Sequence, residues 1–250
     1  MNIRQLTPEG TLRAAEGKLE FLRQMGIDAI WLMPIYPIGV EGRKGALGSY
    51  YSIQDYCDVN PEFGTMEDLD SFVEKAHSLG MKVILDGVFN HCGSFNKWMD
   101  RERIYEHAPG YEKGAYVEKE SPYNDHFHFY DENQWPYNGS YDGWWGHDTL
   151  PKLNYEKSRA LYDYILYIGR KWVSPPYNVD GWRLDVAADL GHSPEFNHKF
   201  WRDFRNTVKS ANPNALILAE HYGDPSSWLQ GDQWDTVMNY DAFMEPITWF

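Results

Sequence analysis

The segments Gly181-Trp-Arg-Leu-Asp185 and Ile217-Leu-Ala-Glu220 hold the residue types best suited to chemistry. Each reads as a short buried strand whose last residue is a carboxylate. Side chains alternate along a strand, so Arg183 and Asp185 share a face. Acids at the C-terminal ends of successive strands are how a parallel α/β barrel assembles an active site. Two carboxylates flanking one bond, with a guanidinium keeping one ionised, are the minimum equipment for cleaving a glycosidic linkage. Strand capping and surface ion pairing are the bland alternative for either acid alone. Asp86-Gly-Val-Phe-Asn90-His91 ends an earlier apolar run with an acid, an amide and an imidazole. That set suits a metal pair, an acid–base pair, sugar hydrogen bonding, or merely a capped strand end. Three strands delivering polar groups to one rim favour a site.

The elements that must carry these residues alternate strand and helix. Asn2–Leu6 reads as a first short strand. Thr11–Met25 has Leu12, Ala15, Leu19, Leu22 and Met25 at helical spacing, with Gly26 as its stop. Ala29–Met33 is a continuous apolar run before Pro34, as in a buried parallel strand. Thr65 and Asp68 form a capping-box pattern ahead of a helix that ends at Gly80. Lys82–Asp86 follows as the third strand. After Leu161, Ile165, Ile168 and Trp172 at helical spacing come strands Val179–Asp185, Leu216–Glu220 and Thr236–Asn239, with Ser193-Pro194 opening the helix between the first two. Alternating units of this kind imply a parallel sheet, of about six strands. Cys92–Tyr155 breaks the rhythm with dense aromatics and Pro, Gly and Asn punctuation. A loop that long inside a compact domain is improbable, so a small insertion domain after the third strand is expected. The organisation is then residues 1–91, a first part of the barrel; 92–155, the insertion; and 156–250, the barrel's continuation.

Lys+Arg 23 against Asp+Glu 37 gives a net charge of −14, which argues against nucleic acid and anionic membrane as partners. With 11 Trp and 18 Tyr, an acidic chain suits a neutral ligand with apolar faces and many hydroxyls, such as a sugar. No run of about 18 apolar residues is present to span a membrane. The N-terminus lacks a signal-peptide pattern, and Cys57 and Cys92 are no disulfide framework, so a cytoplasmic location is expected. No oligomeric state follows.

Asp86…Asn90-His91, Gly181-Trp-Arg183-Leu-Asp185 and the Glu220 strand resemble, in order, three of the four signature segments of the α-amylase family of retaining glycoside hydrolases. Leu47–Tyr56 resembles the family loop whose Tyr stacks under the sugar. Leu150-Pro-Lys-Leu-Asn154 and Trp228–Tyr240 are similar to the neopullulanase, cyclomaltodextrinase and maltogenic amylase group. The resemblance implies a TIM (β/α)8 barrel and an enzyme that hydrolyses α-1,4 glucosidic bonds of starch or maltodextrin, with α-1,6 bonds also within the family's range. It makes Asp185 the nucleophile and Glu220 the acid/base, with their carboxyl groups about 5–6 Å apart. Arg183 would hold Asp185 ionised, Asp86 would brace Arg183 and Tyr51, and Tyr51, His91 and His221 would bind the sugar. Calcium is the cofactor the resemblance implies, with Asn90 as a ligand, and no organic cofactor is expected.

Three positions depart from the family pattern. The second signature ends in Asp189 where many amylases have His, which weakens transfer of the calcium site. His221-Tyr222 follows Glu220 where the neopullulanase group commonly has Ile-Trp. The fourth signature, an Asn-His-Asp triplet after strand seven, does not occur before Phe250. The expectation is therefore an incomplete barrel of about six strands, lacking the third catalytic carboxylate and inactive as the isolated chain. A transglycosylase or isomerase on the same scaffold, and a sugar-binding fragment without catalysis, are the alternatives to hydrolysis. The pair His126 and His128 lacks a third ligand, Trp144-Trp145 suits a sugar platform or a packed core, and no phosphate loop or zinc pattern is present.

Overall fold

The computed structural model describes residues 1–39 and 47–249. Its centre is a parallel sheet of five strands: β1 (Ala29–Leu32), β2 (Lys82–Gly87), β3 (Gly181–Leu184), β4 (Leu216–Ala219) and β5 (Thr236–Val237), paired in chain order. The register sets Ile84 against Gly181, and Gly181 against Leu216. Gly181 has φ +153°, and a Cβ there would lie 2.2 Å from the Leu216 carbonyl oxygen, so only glycine lets β3 and β4 approach. This register brings Asp86 alongside Arg183, and it places Asp185 and Glu220 immediately beyond β3 and β4.

Helices α4 (Met66–Ser78), α5 (Arg159–Val173) and α6 (Pro194–Ala211) connect the strands. The capping box of α4 forms in both directions: the Thr65 hydroxyl accepts from the Asp68 amide at 3.3 Å, and the Thr65 amide donates to Asp68 at 3.0 Å. Ser193 caps α6 with Pro194 in its first turn, as the sequence predicts. Trp182 is fully buried behind the sheet and donates its indole N–H to the Gly169 carbonyl of α5 at 2.9 Å.

Two expectations near the N-terminus are corrected. Residues 2–6 are not a strand: Ile3–Leu6 form one helical turn (α1), closed by the Gln5 and Leu6 amides on the Asn2 carbonyl, so among the described residues the sheet has five strands rather than six. Residues 11–25 are two helices, α2 (Leu12–Glu16) and α3 (Leu19–Gln24), broken at Gly17. Leu12, Ala15 and Leu19 still face the core, because both pieces turn the same apolar side inward.

Between β2 and α5 the described chain has two 3-10 turns, Asn124–His126 and Trp144–Gly146, and isolated bridges such as His91 to Lys152 and Gly143 to Pro151. The Cys92 amide donates to the Pro151 carbonyl and the Leu153 amide to that of Asn90, so this excursion starts and ends at a paired neck. Its buried residues, including Trp98, Met99, Phe127 and Leu153, join the same continuous core as the strands. Trp98 stacks on Tyr56 at 5.8 Å. Among the described residues no helix is long and apolar enough to cross a membrane.

Candidate active site

Arg183 organises the C-terminal rim. Its Nη1 donates to both Asp86 oxygens, at 3.2 and 3.1 Å, and to Asp185 Oδ1 at 2.7 Å. Its Nη2 pairs with Glu220 Oε2 at 2.8 Å. The guanidinium also lies over the Trp31 ring, 4.7 Å from its centroid, and Nε faces Met238 Sδ at 3.4 Å. Trp31 donates its indole N–H to Asp86 Oδ2 at 3.0 Å. One cation from β3 thus gathers carboxylates from the ends of β2, β3 and β4, all largely screened from water.

Burial disfavours the charged form of a carboxylate, and a neighbouring cation favours it. Burial pushes Asp86 up to about 8, with Arg183 as the main opposing influence. For Asp185 the same contest, with Glu220 adding to the upward push, ends at about 6. At neutral pH Asp185 is thus mostly ionised, although Arg183 does not hold it below the ordinary carboxylate range. The Arg183 guanidinium is raised above its ordinary value, although burial works against it. Asp185 and Glu220 meet the same guanidinium, Asp185 through Nη1 and Glu220 through Nη2. The Glu220 side chain is drawn toward β3 by Arg183 and by the Val186 amide, which donates to Oε2 at 3.1 Å. Tyr240 donates to the other oxygen, Oε1, at 3.1 Å, and its ring stacks on Tyr222 with centroids 4.4 Å apart.

Beyond β2 the segment to His91 is held by buried tyrosine hydroxyls. Tyr36 donates to the Asp86 carbonyl at 3.1 Å, Tyr155 to that of Phe89 at 2.5 Å and Tyr56 to that of His91 at 2.9 Å. Buried backbone acceptors that leave a strand need such partners. His91 is buried, and burial followed by the charge of Lys152 lowers it to about 3, so its imidazole is neutral. Its Nδ1 meets the Asn90 amide nitrogen at 3.2 Å, whereas Nε2 has no partner. Tyr51 is half-buried, and burial raises its phenol, as does the nearby Asp86 carboxylate; Arg183, Asp185 and Glu220 also act on it. Its loop is pinned where the Gly93 amide donates to the Ile53 carbonyl, and a Cβ on Gly93 would meet Ser52 at 2.7 Å. His221 lines a cavity of about 220 Å³ together with Glu220 and Tyr222.

The structure therefore brings Asp86, Arg183, Asp185, Glu220 and Tyr51 into one cluster, with His91 and His221 at its margins. His126 stands apart, buried with Nδ1 on the Ser158 hydroxyl at 3.1 Å, and packs the base of the 92–155 segment. Sequence reasoning assigned no role to Trp31, Lys152 or Tyr240. The polar end of Trp31 inside an otherwise aliphatic strand was the one visible signal.

The fold family implies calcium at Asn90. Here Asn90 Oδ1 accepts from the Lys152 ammonium at 2.6 Å, and the same ammonium donates to the carbonyls of Asp189, at 2.5 Å, and Leu190, at 3.3 Å. An ammonium already surrounded by these oxygens repels a divalent cation, so the residues present do not fit calcium. No group of three or more His, Cys, Asp or Glu among the described residues could hold a metal.

Residues 4–248 match the model of the alpha amylase catalytic domain. The chain belongs to the α-amylase family. Its fold is that of the α-amylase catalytic domain, a TIM barrel, represented among the described residues by the parallel sheet of five strands. A cyclomaltodextrinase of Thermoanaerobacter pseudethanolicus is 36% identical over 240 residues, covering 92% of this chain and 36% of that protein. A maltogenic alpha-amylase of Bacillus acidopullulyticus is 34% identical over 235 residues, covering 92% of this chain and 35% of the relative. The debranching enzyme of Nostoc punctiforme superposes with a TM-score of 0.74 at 32% identity, covering 92% of this chain and 43% of that structure. This α-amylase-family chain thus spans a little over a third of the length of these curated relatives.

Proposed function

We propose that the protein hydrolyses α-1,4-glucosidic bonds, with α-1,6 bonds also within its range, in starch, maltodextrin or related α-glucans. The proposed course is a retaining double displacement. Asp185 attacks the anomeric carbon while Glu220 gives its proton to the departing glycosidic oxygen. The glycosyl group is then carried on Asp185, and Glu220 takes a proton from the water that releases it. Arg183 orients Asp185, Asp86 holds Arg183 from the other side, and Tyr51, His91 and His221 bind the sugar.

The observation that carries this reading is the single Arg183 guanidinium in contact with Asp86, Asp185 and Glu220. In the same reading the five strands are an arc of a (β/α)8 barrel, and residues 92–155 are its insertion domain, joined at the neck between 90–92 and 151–153. No calcium is assigned, because Lys152 supplies the positive charge at Asn90.

Because the Asn-His-Asp signature does not occur in these 250 residues, the test is made on a form of the protein that carries it: product analysis by proton NMR on maltotriose and cyclomaltodextrin, with Asp185→Asn and Glu220→Gln as variants. The first-formed product should be the α-anomer, and Asp185→Asn should abolish turnover while malto-oligosaccharide still binds. Glu220→Gln should slow maltotriose far more than an activated aryl maltoside, which needs little protonation. A β-anomeric first product, or unimpaired turnover by Asp185→Asn, overturns the mechanism.

A further inference from the structure

Trp145 is 81% exposed, although its neighbour Trp144 is half-buried and stacked on the buried His91 ring at 5.3 Å. Its backbone is left-handed, at φ 51° and ψ 32°. A bulky residue in that region costs about 1–3 kcal/mol and persists only where the surroundings enforce it. The enforcement is visible. The Trp144 amide donates to the Leu150 carbonyl at 2.9 Å, Gly146 to Gly143 at 2.9 Å and His147 to Trp144 at 3.0 Å. A Cβ on Gly143 would lie 2.3 Å from the His147 carbonyl oxygen, so the turn closes on itself at a glycine. A strained, tightly pinned turn that lifts a large ring into water offers the fold no burial in return.

The ring lies at a cavity of about 450 Å³, within the range of about 300–1,000 Å³ usual for small-molecule sites. Trp144, Trp145 and Trp228 supply aromatic walls, and Asp142, Asp189 and His192 supply polar groups between them. The Trp144 indole nitrogen is buried without a partner. Ala188 and Asp189 also line the smaller cavity that holds Glu220 and His221, so the two spaces share part of their lining in the turn after β3. Aromatic faces with carboxylates between them match a pyranose, whose C–H faces stack while its equatorial hydroxyls donate.

We propose that Trp145 is the stacking platform of an outlying sugar subsite, which holds glucosyl units of an α-glucan chain as it runs away from Glu220. This rests on the α-glucan reading above.

The test compares binding of maltose and maltohexaose by titration calorimetry for the wild-type protein, Trp145→Ala and Trp145→Tyr. Trp145→Ala should weaken maltohexaose roughly tenfold, the size of a lost aromatic stack, and weaken maltose far less. Trp145→Tyr, which keeps an aromatic face, should recover most of the loss. Because the side chain touches water on most of its surface, its removal spares the core, and an unchanged circular dichroism melt checks this. Equal affinity of Trp145→Ala and wild type for maltohexaose, in a protein that cleaves maltotriose, overturns the subsite and leaves the proposed function standing. A wild-type protein that neither binds maltohexaose nor cleaves maltotriose sinks both.

Discussion

Replacing Arg183 by Met removes the one cation from a buried group of three carboxylates while keeping much of the side-chain volume. Two unit charges about 4 Å apart interact by about 4 kcal/mol at an effective dielectric of 20. Removing one member of a buried ion pair typically costs about 3–5 kcal/mol, because the remaining charge is left without compensation. Asp86 and Asp185 can escape that cost only by binding protons. Both already lie above the ordinary carboxylate value, at about 8 and about 6, and loss of Arg183 drives them higher. A carboxyl whose folded pKa exceeds its unfolded one stabilises the folded state below the unfolded value of about 3.9. That contribution is lost as pH rises through the folded value. Arg183→Met should therefore lose about 3–5 kcal/mol at pH 8 and markedly less at pH 5, where the folded carboxyls are already protonated. Urea unfolding of both proteins followed by tryptophan fluorescence at the two pH values measures it. An equal loss at pH 5 and pH 8 would refute the reasoning, since it would mean that Arg183 serves as packing.

If Asp185 must be ionised to attack, kcat/KM on maltotriose should rise with pH through about 6, and a flat profile from pH 4 to 8 would remove Asp185 from that role. Lys152→Met leaves the Asn90 amide oxygen and the Asp189 and Leu190 carbonyls without their donor, and should destabilise by about 1–3 kcal/mol in thermal or urea unfolding. On the same reasoning a chelator should leave the wild-type melting temperature unchanged, and a rise on adding calcium would contradict it. Tyr240→Phe removes the donor to Glu220 Oε1, a contact of about 1–1.5 kcal/mol, and should lower kcat on maltotriose about tenfold. A loss confined to KM would place Tyr240 in binding only.

The rim was legible because its logic is local. Alternation along β3 puts Arg183 and Asp185 on one face, and an apolar run that ends in an acid announces a strand end, at Asp86 as at Glu220. The α4 capping box and the Ser193-Pro194 start were equally short-range. What escaped was whatever depends on distant partners. Lys152 sits within a recognisable segment, but its contacts reach back to Asn90 and forward to Asp189, and no periodicity encodes them. Tyr240 meets Glu220 only because β5 lies beside β4. Asn2–Leu6 is too short for its period to decide, and with Ile3 and Leu6 three apart the Asn2 carbonyl accepts two amides and one helical turn forms. Across Gly17 the apolar spacing of 11–25 continues without its hydrogen bonds, since packing on one core rewards the spacing and not the continuity.

Val186 follows Asp185 in a left-handed conformation, φ 38° and ψ 47°, which a β-branched residue rarely adopts. That twist turns its amide toward Glu220 while the preceding amide, of Asp185, closes on the Gly87 carbonyl at 3.0 Å. The donor belongs to the main chain, and every residue except proline carries it. Inherited change at position 186 can thus alter the strain and the packing of this turn, and still not delete the hydrogen bond. Of the three donors among the described residues that meet the Glu220 carboxylate, those of Arg183 and Tyr240 are each one codon change from loss. The third is written into the backbone, a form of mutational robustness that the side chains around it lack.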